Sequence, residues 1–253
     1  MNSASFDADL ALRKAQTAYR AHLEAAAAGR AGDGRHGRKV YRAMLCALEA
    51  LPARCLAPGI EDGQSTVWVW SDLHLGHENI IRYTNRPFAD ASVMDDALYA
   101  NWATAVGPTD ALLFVGDVAM RKAVGEATWS RIRRGPGRMK QLVVGNHDLT
   151  GSGTLRVDGF DDICSLLCAP GDPSLLFTHM PLSDVPAGWV NVHGHTHAAP
   201  VTRSPHINVS VEHLRYRPLA LPRIRALAKA LVQGRYPAGG TTLERIESLE
   251  NRP

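Results

Sequence analysis

Cysteine is scarce in this 253-residue sequence, and Cys46, Cys55, Cys164 and Cys168 are spaced neither as paired zinc knuckles nor as a dense disulfide framework. All four are read as reduced. No apolar stretch approaches the roughly 18 residues that a spanning helix needs, and the opening MNSASFDADLALRKAQ lacks a basic segment followed by an apolar run. These absences predict a soluble, cytoplasmic protein with no membrane insertion. A dominant charge is missing too: 28 Lys+Arg face 25 Asp+Glu, and a formal +3 spread over this length does not by itself argue for nucleic acid or an anionic membrane. With 45% hydrophobic residues the chain can bury a sizeable core, as one large domain or a domain with appendages, which excludes the disordered and collagen classes. What is plentiful is histidine. Of 11, nine lie between His74 and His213, so the chemistry is sought there.

The first 50 residues are rich in Ala, Arg and Leu. Val40, Met44, Leu48 and Leu51 recur at helical steps, and the break GRAGDGRHG (Gly29 to Gly37) separates them from an earlier helix around Phe6, Leu10 and Leu23. A helical hairpin on the main domain is expected, with a basic partner-binding or oligomerising arm as the alternative. Pro52 to Gln64 reads as a linker, and short apolar runs follow. Strands are predicted at Thr66 to Ser71, Ala111 to Val115, Gln141 to Val144, Ser174 to Thr178, Trp189 to His193 and His206 to Val211. Between the first two, Ser92 with Asp95 reads as the start of a helix whose Met94, Leu98, Trp102 and Ala105 share a face. This alternation argues for an α/β domain at 66–220, between a helical extension and linker at 1–65 and a helical tail at 221–253. In that tail LALPRIRALAKALVQGRY reads as a basic amphipathic helix and TTLERIESLENRP as a frayed one.

Polar residues that can bind metal fall at or just beyond the ends of the apolar runs, where α/β sheets place their sites. TVWVW leads into Asp72 and His74, ALLFV into Asp117, QLVV into Asn146, His147 and Asp148, SLLFT into His179, and WVNVH into His195 and His197. Such a nitrogen- and oxygen-donor set without thiolate suits Mn, Fe, Zn, Ni or Co better than Ca or Mg. Asp72 and His74 are two residues apart, as are His195 and His197, so each pair can point one way from an extended chain. Glycines before Asp117, Asn146 and His195 fit sharp turns off the strands.

The ordered blocks D-x-H, G-D, G-N-H-D, a lone His and G-H-x-H resemble the calcineurin-like metallophosphoesterase superfamily. DLHLGHENIIRYTNRPF and NVSVEHLRYRPL resemble a small bacterial and phage subgroup of it, the likeness running from about Thr66 to Leu219. The resemblance implies a four-layer α/β/β/α sandwich holding two divalent transition-metal ions, manganese first among the candidates. It implies that Asp72, His74, Asp117 and His197 hold one ion and Asp117, Asn146, His179 and His195 the other, Asp117 bridging them. A hydroxide between the ions would attack phosphorus in line, with no covalent phosphoenzyme. His147 would protonate the leaving oxygen or stabilise the transition state, and Asp148 would orient it. The implied substrate is a phosphodiester, or a monoester, of nucleotide-like character. A lipid-linked pyrophosphate hydrolase and a nuclease are the alternatives within the superfamily, and a scaffold that binds metal without turnover is the alternative outside the enzymes.

Several residues keep two readings. His77 contacts substrate phosphate or caps the helix that starts there. Arg82 and Arg86 hold a phosphate bidentately or lie on a solvated face. The run Arg131-Ile132-Arg133-Arg134 is a solvent face or a nucleic-acid patch, while His193, His206 and His213 read as structural and Cys164 and Cys168 as packed hydrophobes.

Overall fold

The apolar runs do become strands. In the computed structural model, which describes residues 7–29, 34–56, 65–120, 124–201 and 205–251, β2 spans Val67–Trp70, β3 Ala111–Phe114, β4 Met139–Val143, β7 Ser174–Thr178, β8 Trp189–His193 and β9 His206–Asn208. Four short strands join them: β1 (Ala53–Cys55), β5 (Asp162–Cys164), β6 (Leu166–Ala169) and β10 (Leu219–Ala220). They form two five-stranded sheets, ordered β1-β6-β7-β8-β9 and β10-β2-β3-β4-β5. Pairing is parallel except between β6 and β7 in the first sheet and between β10 and β2 in the second. The fold is α/β, as the sequence predicts.

Alternation along β6 and β7 divides the first sheet between two cores. Leu166, Cys168 and Leu176 pack against Tyr19 and Leu23 of α1 (Ala8–Ala27) and Met44 and Leu48 of α2 (Gly34–Ala50). Leu167, Ala169, Leu175 and Phe177 instead share a cluster with Val67, Val69, Leu113 and Leu142 of the second sheet. The second sheet packs in that cluster with α4 (Ala91–Ala105) and α6 (Leu221–Val232). Trp102 of α4 is fully buried, meets Trp70 of β2 edge-on with ring centroids 6.3 Å apart, and donates its indole N–H to the Pro136 carbonyl. Of the other α-helices of the described residues, α3 (Glu78–Tyr83) borders the site, and α5 (Glu126–Arg134) and α7 (Thr242–Glu250) complete the set.

Three local expectations need correction. The α4 N-cap is Asp90 rather than Ser92: its backbone is extended and its carboxylate accepts from Val93 N–H, while Asp95 reaches across to Gly76 N–H. The linker contains β1, which pairs in register with β6 so that Cys55 lies beside Cys168; residues 57–64 of that linker, and 30–33 of the earlier break, fall outside the described residues. The terminal helix is not frayed at its start, because Thr241 and Glu244 form a reciprocal capping box and Ile246 is buried in the core. The four cysteines are free thiols. No helix of the described residues is long and apolar enough to cross a membrane.

Candidate metal centre

Five strand ends converge. Asp72 and His74 follow β2, Asp117 follows β3, Asn146 and His147 follow β4, His179 follows β7, and His195 and His197 follow β8. Their donor atoms gather into three overlapping groups: Asp72 with His74 and His197, His74 with Asp117 and His147, and Asp117 with His179 and His195, each within 4.8 Å. Asn146 Oδ1 stands 3.2 Å from His179 Nε2, which is also 3.3 Å from Asp117 Oδ2. Asp117 thus stands between the two halves, 3.5 Å from His74 Nε2 on its other side.

The chain holds these side chains in an uncommon backbone conformation. Asp72, His74, Asp117, His195 and His197 all have left-handed φ, from 46° to 67°, and residues in that region cluster at functional sites. Gly116 explains one of these turns. Its φ is 89°, and a Cβ there would sit 2.7 Å from the Gly145 Cα and run into the His179 ring, so only glycine lets β3 and β4 deliver Asp117 and Asn146 side by side.

Hydrogen bonds fix the rest. Asp72 accepts from His195 N–H and the Ser210 hydroxyl, and His179 Nδ1 lies 2.8 Å from the Val115 carbonyl, which leaves Nε2 facing Asp117. Asp148 is fully buried and does not orient His147, as the resemblance implied. Its carboxylate accepts from the backbone N–H groups of Asp117, Val118 and Gly145 at 2.8–2.9 Å, so it clamps the turn that presents Asp117. His147 is held instead through its own backbone N–H, which donates to Asp117 Oδ1 at 2.8 Å, and its ring meets the His74 ring edge-on at 4.8 Å.

Burial and charge pull the titrations apart. Burial lowers His74 and His195 to about 4, so both rings are neutral and ready to ligate at neutral pH. Burial opposes the charging of His179 as well, but the Asp117 carboxylate outweighs it and lifts His179 to about 10; the histidines in turn hold Asp117 well below the carboxylate range despite its burial. A cation taken up here therefore displaces a proton from His179. Burial and the Asp117 charge push Asp148 up to about 7 against its three N–H donors, and a cation on Asp117 would relieve that repulsion.

His74, His77 and His147 line a cleft of about 630 Å³ beside this cluster, with Tyr83, Met120 and Thr196. His77 sits at the N-cap of α3 without a side-chain capping bond; its Nδ1 is 3.3 Å from His74 Nδ1 and its ring faces the cleft, so of its two readings the capping one falls. Arg82 is exposed at the end of α3 and does not line the cleft. Arg86 turns inward and cannot hold a phosphate. Its side chain has no exposed surface, its guanidinium donates to the Asp72 and Leu73 carbonyls at 2.7 and 2.9 Å, and it pairs with Glu212 at 2.8 Å. Glu212 went unread in the sequence. It follows Val211 in the short 3-10 turn Val211–Leu214, lies almost wholly buried, and accepts on Oε1 from Arg86 while standing 3.2 Å from His197 Nδ1, so it fixes that ring with Nε2 toward Asp72. An acidic residue inside the apolar run NVSVEHL was the one available signal. Arg131 pairs with Asp96 and lies 3.7 Å over the Tyr99 ring, and Arg133 pairs with Glu126 and Asp158, which engages two of the three arginines in that run within the chain.

No protein-family model matches the chain. The uncharacterized protein MJ1445 of Methanocaldococcus jannaschii is 31% identical over 165 residues, a span that covers 62% of this chain and 88% of the archaeal protein. The chain belongs to that protein's family. The gene 66 protein of Mycobacterium phage L5 is 28% identical over 183 residues, 57% of this chain and 83% of the phage protein. The family's fold has a solved counterpart: the crystal structure of a protein of unknown function from Aquifex aeolicus, AQ665, superposes with a TM-score of 0.51 at 22% identity, over 65% of this chain and all of that one.

Proposed function

We propose that this chain is a binuclear metal-dependent phosphoesterase of the calcineurin-like superfamily, with the four-layer sandwich of that group, and that it hydrolyses phosphodiester bonds, or monoesters, of nucleotide-like substrates. The observation that carries the proposal is Asp117, a buried carboxylate shared by two groups of histidines, some of which, with His147, line the neighbouring cleft. The donor set fits two divalent transition-metal ions, manganese or one of Fe, Zn, Ni and Co. His74 Nε2 is buried between Asp72 and Asp117 without a hydrogen-bond partner, as a ligand nitrogen would be before it meets its cation.

Such ions, when bound, supply Lewis-acid charge to the phosphoryl oxygens and bring a water to nucleophilic strength near neutral pH. Asp72, His74 and His197 would hold one, Asn146, His179 and His195 the other, and Asp117 both. Glu212 and Asp148 keep His197 and Asp117 in place. His147, on the cleft side of the cluster, donates a proton to the ester oxygen as the P–O bond breaks, the water oxygen forms the new P–O bond, and the proton that the water gives up restores His147 through solvent.

The test compares phenyl and p-nitrophenyl esters of the same phosphate with the Mn²⁺-loaded chain. His147→Ala is expected to lower kcat on the phenyl ester, whose leaving group needs the proton, by about 10²- to 10⁴-fold while bound metal is unchanged. The loss on p-nitrophenyl should be smaller. Full activity of the variant on both esters would remove His147 from this role.

A further inference from the structure

A second cavity, of about 290 Å³, adjoins the cleft: Thr196 and Ala199 line both. Its polar lining comes from His22 of α1, Ser183, His193, His206 and Asn208, and its walls from Leu182, Pro200 and Val201. Among the described residues no Asp, Glu, Lys or Arg lines it. Its polar groups are held in place: His22 Nδ1 accepts from Ser183 N–H at 3.2 Å, His206 Nε2 stands 2.8 Å from the Leu182 carbonyl, and the Asn208 amide donates to the Thr196 hydroxyl at 2.9 Å. The His193 and His206 rings meet at 74° with centroids 5.7 Å apart.

A lining whose described residues carry no charged side chain does not suit phosphate, which calls for cations or a row of backbone N–H groups. Apolar walls with a few fixed neutral donors and acceptors suit a flat, uncharged ring with hydrogen-bonding edges, and this volume, at the small end of ligand pockets, holds one ring system rather than a polymer. Burial lowers His22 and His206, so both imidazoles are neutral hydrogen-bonding groups at neutral pH. The shared Thr196 lies between His195 and His197, so the segment that borders the cavity also carries two of the clustered histidines.

We propose that the second cavity is the subsite for a nucleobase, the uncharged nitrogen heterocycle of the phosphoester whose scissile group occupies the neighbouring cleft, and that α1, through His22, is part of the substrate site. The inference rests on the phosphoesterase reading for the cleft, and it gives α1 a role in specificity.

Three esters that share one leaving group isolate the subsite: methyl p-nitrophenyl phosphate and the p-nitrophenyl esters of adenosine 5′-phosphate and thymidine 5′-phosphate. With the Mn²⁺-loaded full chain, at least one nucleoside ester is expected to show a KM about tenfold or more below that of the methyl ester. Ser183→Trp, which fills the cavity, and His22→Ala should erase that ratio while kcat/KM for the methyl ester stays at the wild-type value. Calorimetric titration of the same loaded protein with adenosine and thymidine should give saturable binding that Ser183→Trp removes. Equal KM values for all three esters, or a ratio that survives both variants, overturns the subsite and leaves the hydrolase intact. If no ester is turned over, the phosphoesterase reading fails, and the calorimetry decides the cavity alone: absence of nucleoside binding overturns it.

Discussion

Asp117→Ala is expected to abolish hydrolysis, with activity down on the order of 10³-fold or more, equivalent to about 4 kcal/mol in the barrier, and bound metal reduced from two ions per chain to one or none. Asp117 is the carboxylate that belongs to two of the three donor groups. One carboxylate oxygen lies 3.5 Å from His74 Nε2 and 3.3 Å from His179 Nε2, and the other takes the His147 backbone N–H. Removing it therefore separates the two halves of the cluster, loosens the loop that carries His147, and strips His179 of the anion that lifts its pKa. Kinetics on a p-nitrophenyl diester with elemental analysis of the same preparation reads both effects. Two ions and full turnover in the variant would contradict the shared-carboxylate geometry.

The second large effect is on stability. Arg86→Ala should lower the unfolding free energy of the metal-free protein by about 3–5 kcal/mol, because it leaves the Glu212 carboxylate buried without its cation and two backbone carbonyls without a donor. Arg86→Lys should recover little, since one ammonium cannot span the Asp72 and Leu73 carbonyls and Glu212 together. Urea denaturation measures this. A loss under about 1 kcal/mol would mean that the pair is dispensable to the fold.

The clustering was legible because five of the apolar runs lead into metal-capable residues, and the structure brings the seven proposed ligands and His147 together. Two strands, Ser174–Thr178 and Trp189–His193, cover the ranges expected, while the run expected at His206 to Val211 ends as a strand at Asn208 and passes into the turn Val211–Leu214. What escaped reading was set by tertiary contact. Strands β1, β5 and β10 have two or three residues, too few for an alternation to register, and ICSLLC, read as packed hydrophobes, holds parts of β5 and β6. Asp90 and Ser92 are equally good caps in sequence, and only the path of the chain chooses between them. Arg82 and Arg86 look alike in IIRYTNRPF, yet the left-handed Asn85 after α3 sends the second one inward. Asp148 reads as a partner for the histidine beside it, but its carboxylate is claimed by backbone N–H groups from the neighbouring strand end. Glu212 is 126 residues from Arg86, a separation at which a single sequence carries no pairing signal.

Metal stoichiometry coupled to turnover tests the central claim most directly. The full chain is stripped with chelator, titrated with Mn²⁺, and followed at each step by elemental analysis and by release of p-nitrophenol from bis(p-nitrophenyl) phosphate. The binuclear account predicts two ions per chain, with hydrolysis rising as the second is taken up. A chain that binds no ion, or that holds two and hydrolyses no faster than buffer with the same Mn²⁺, would contradict it.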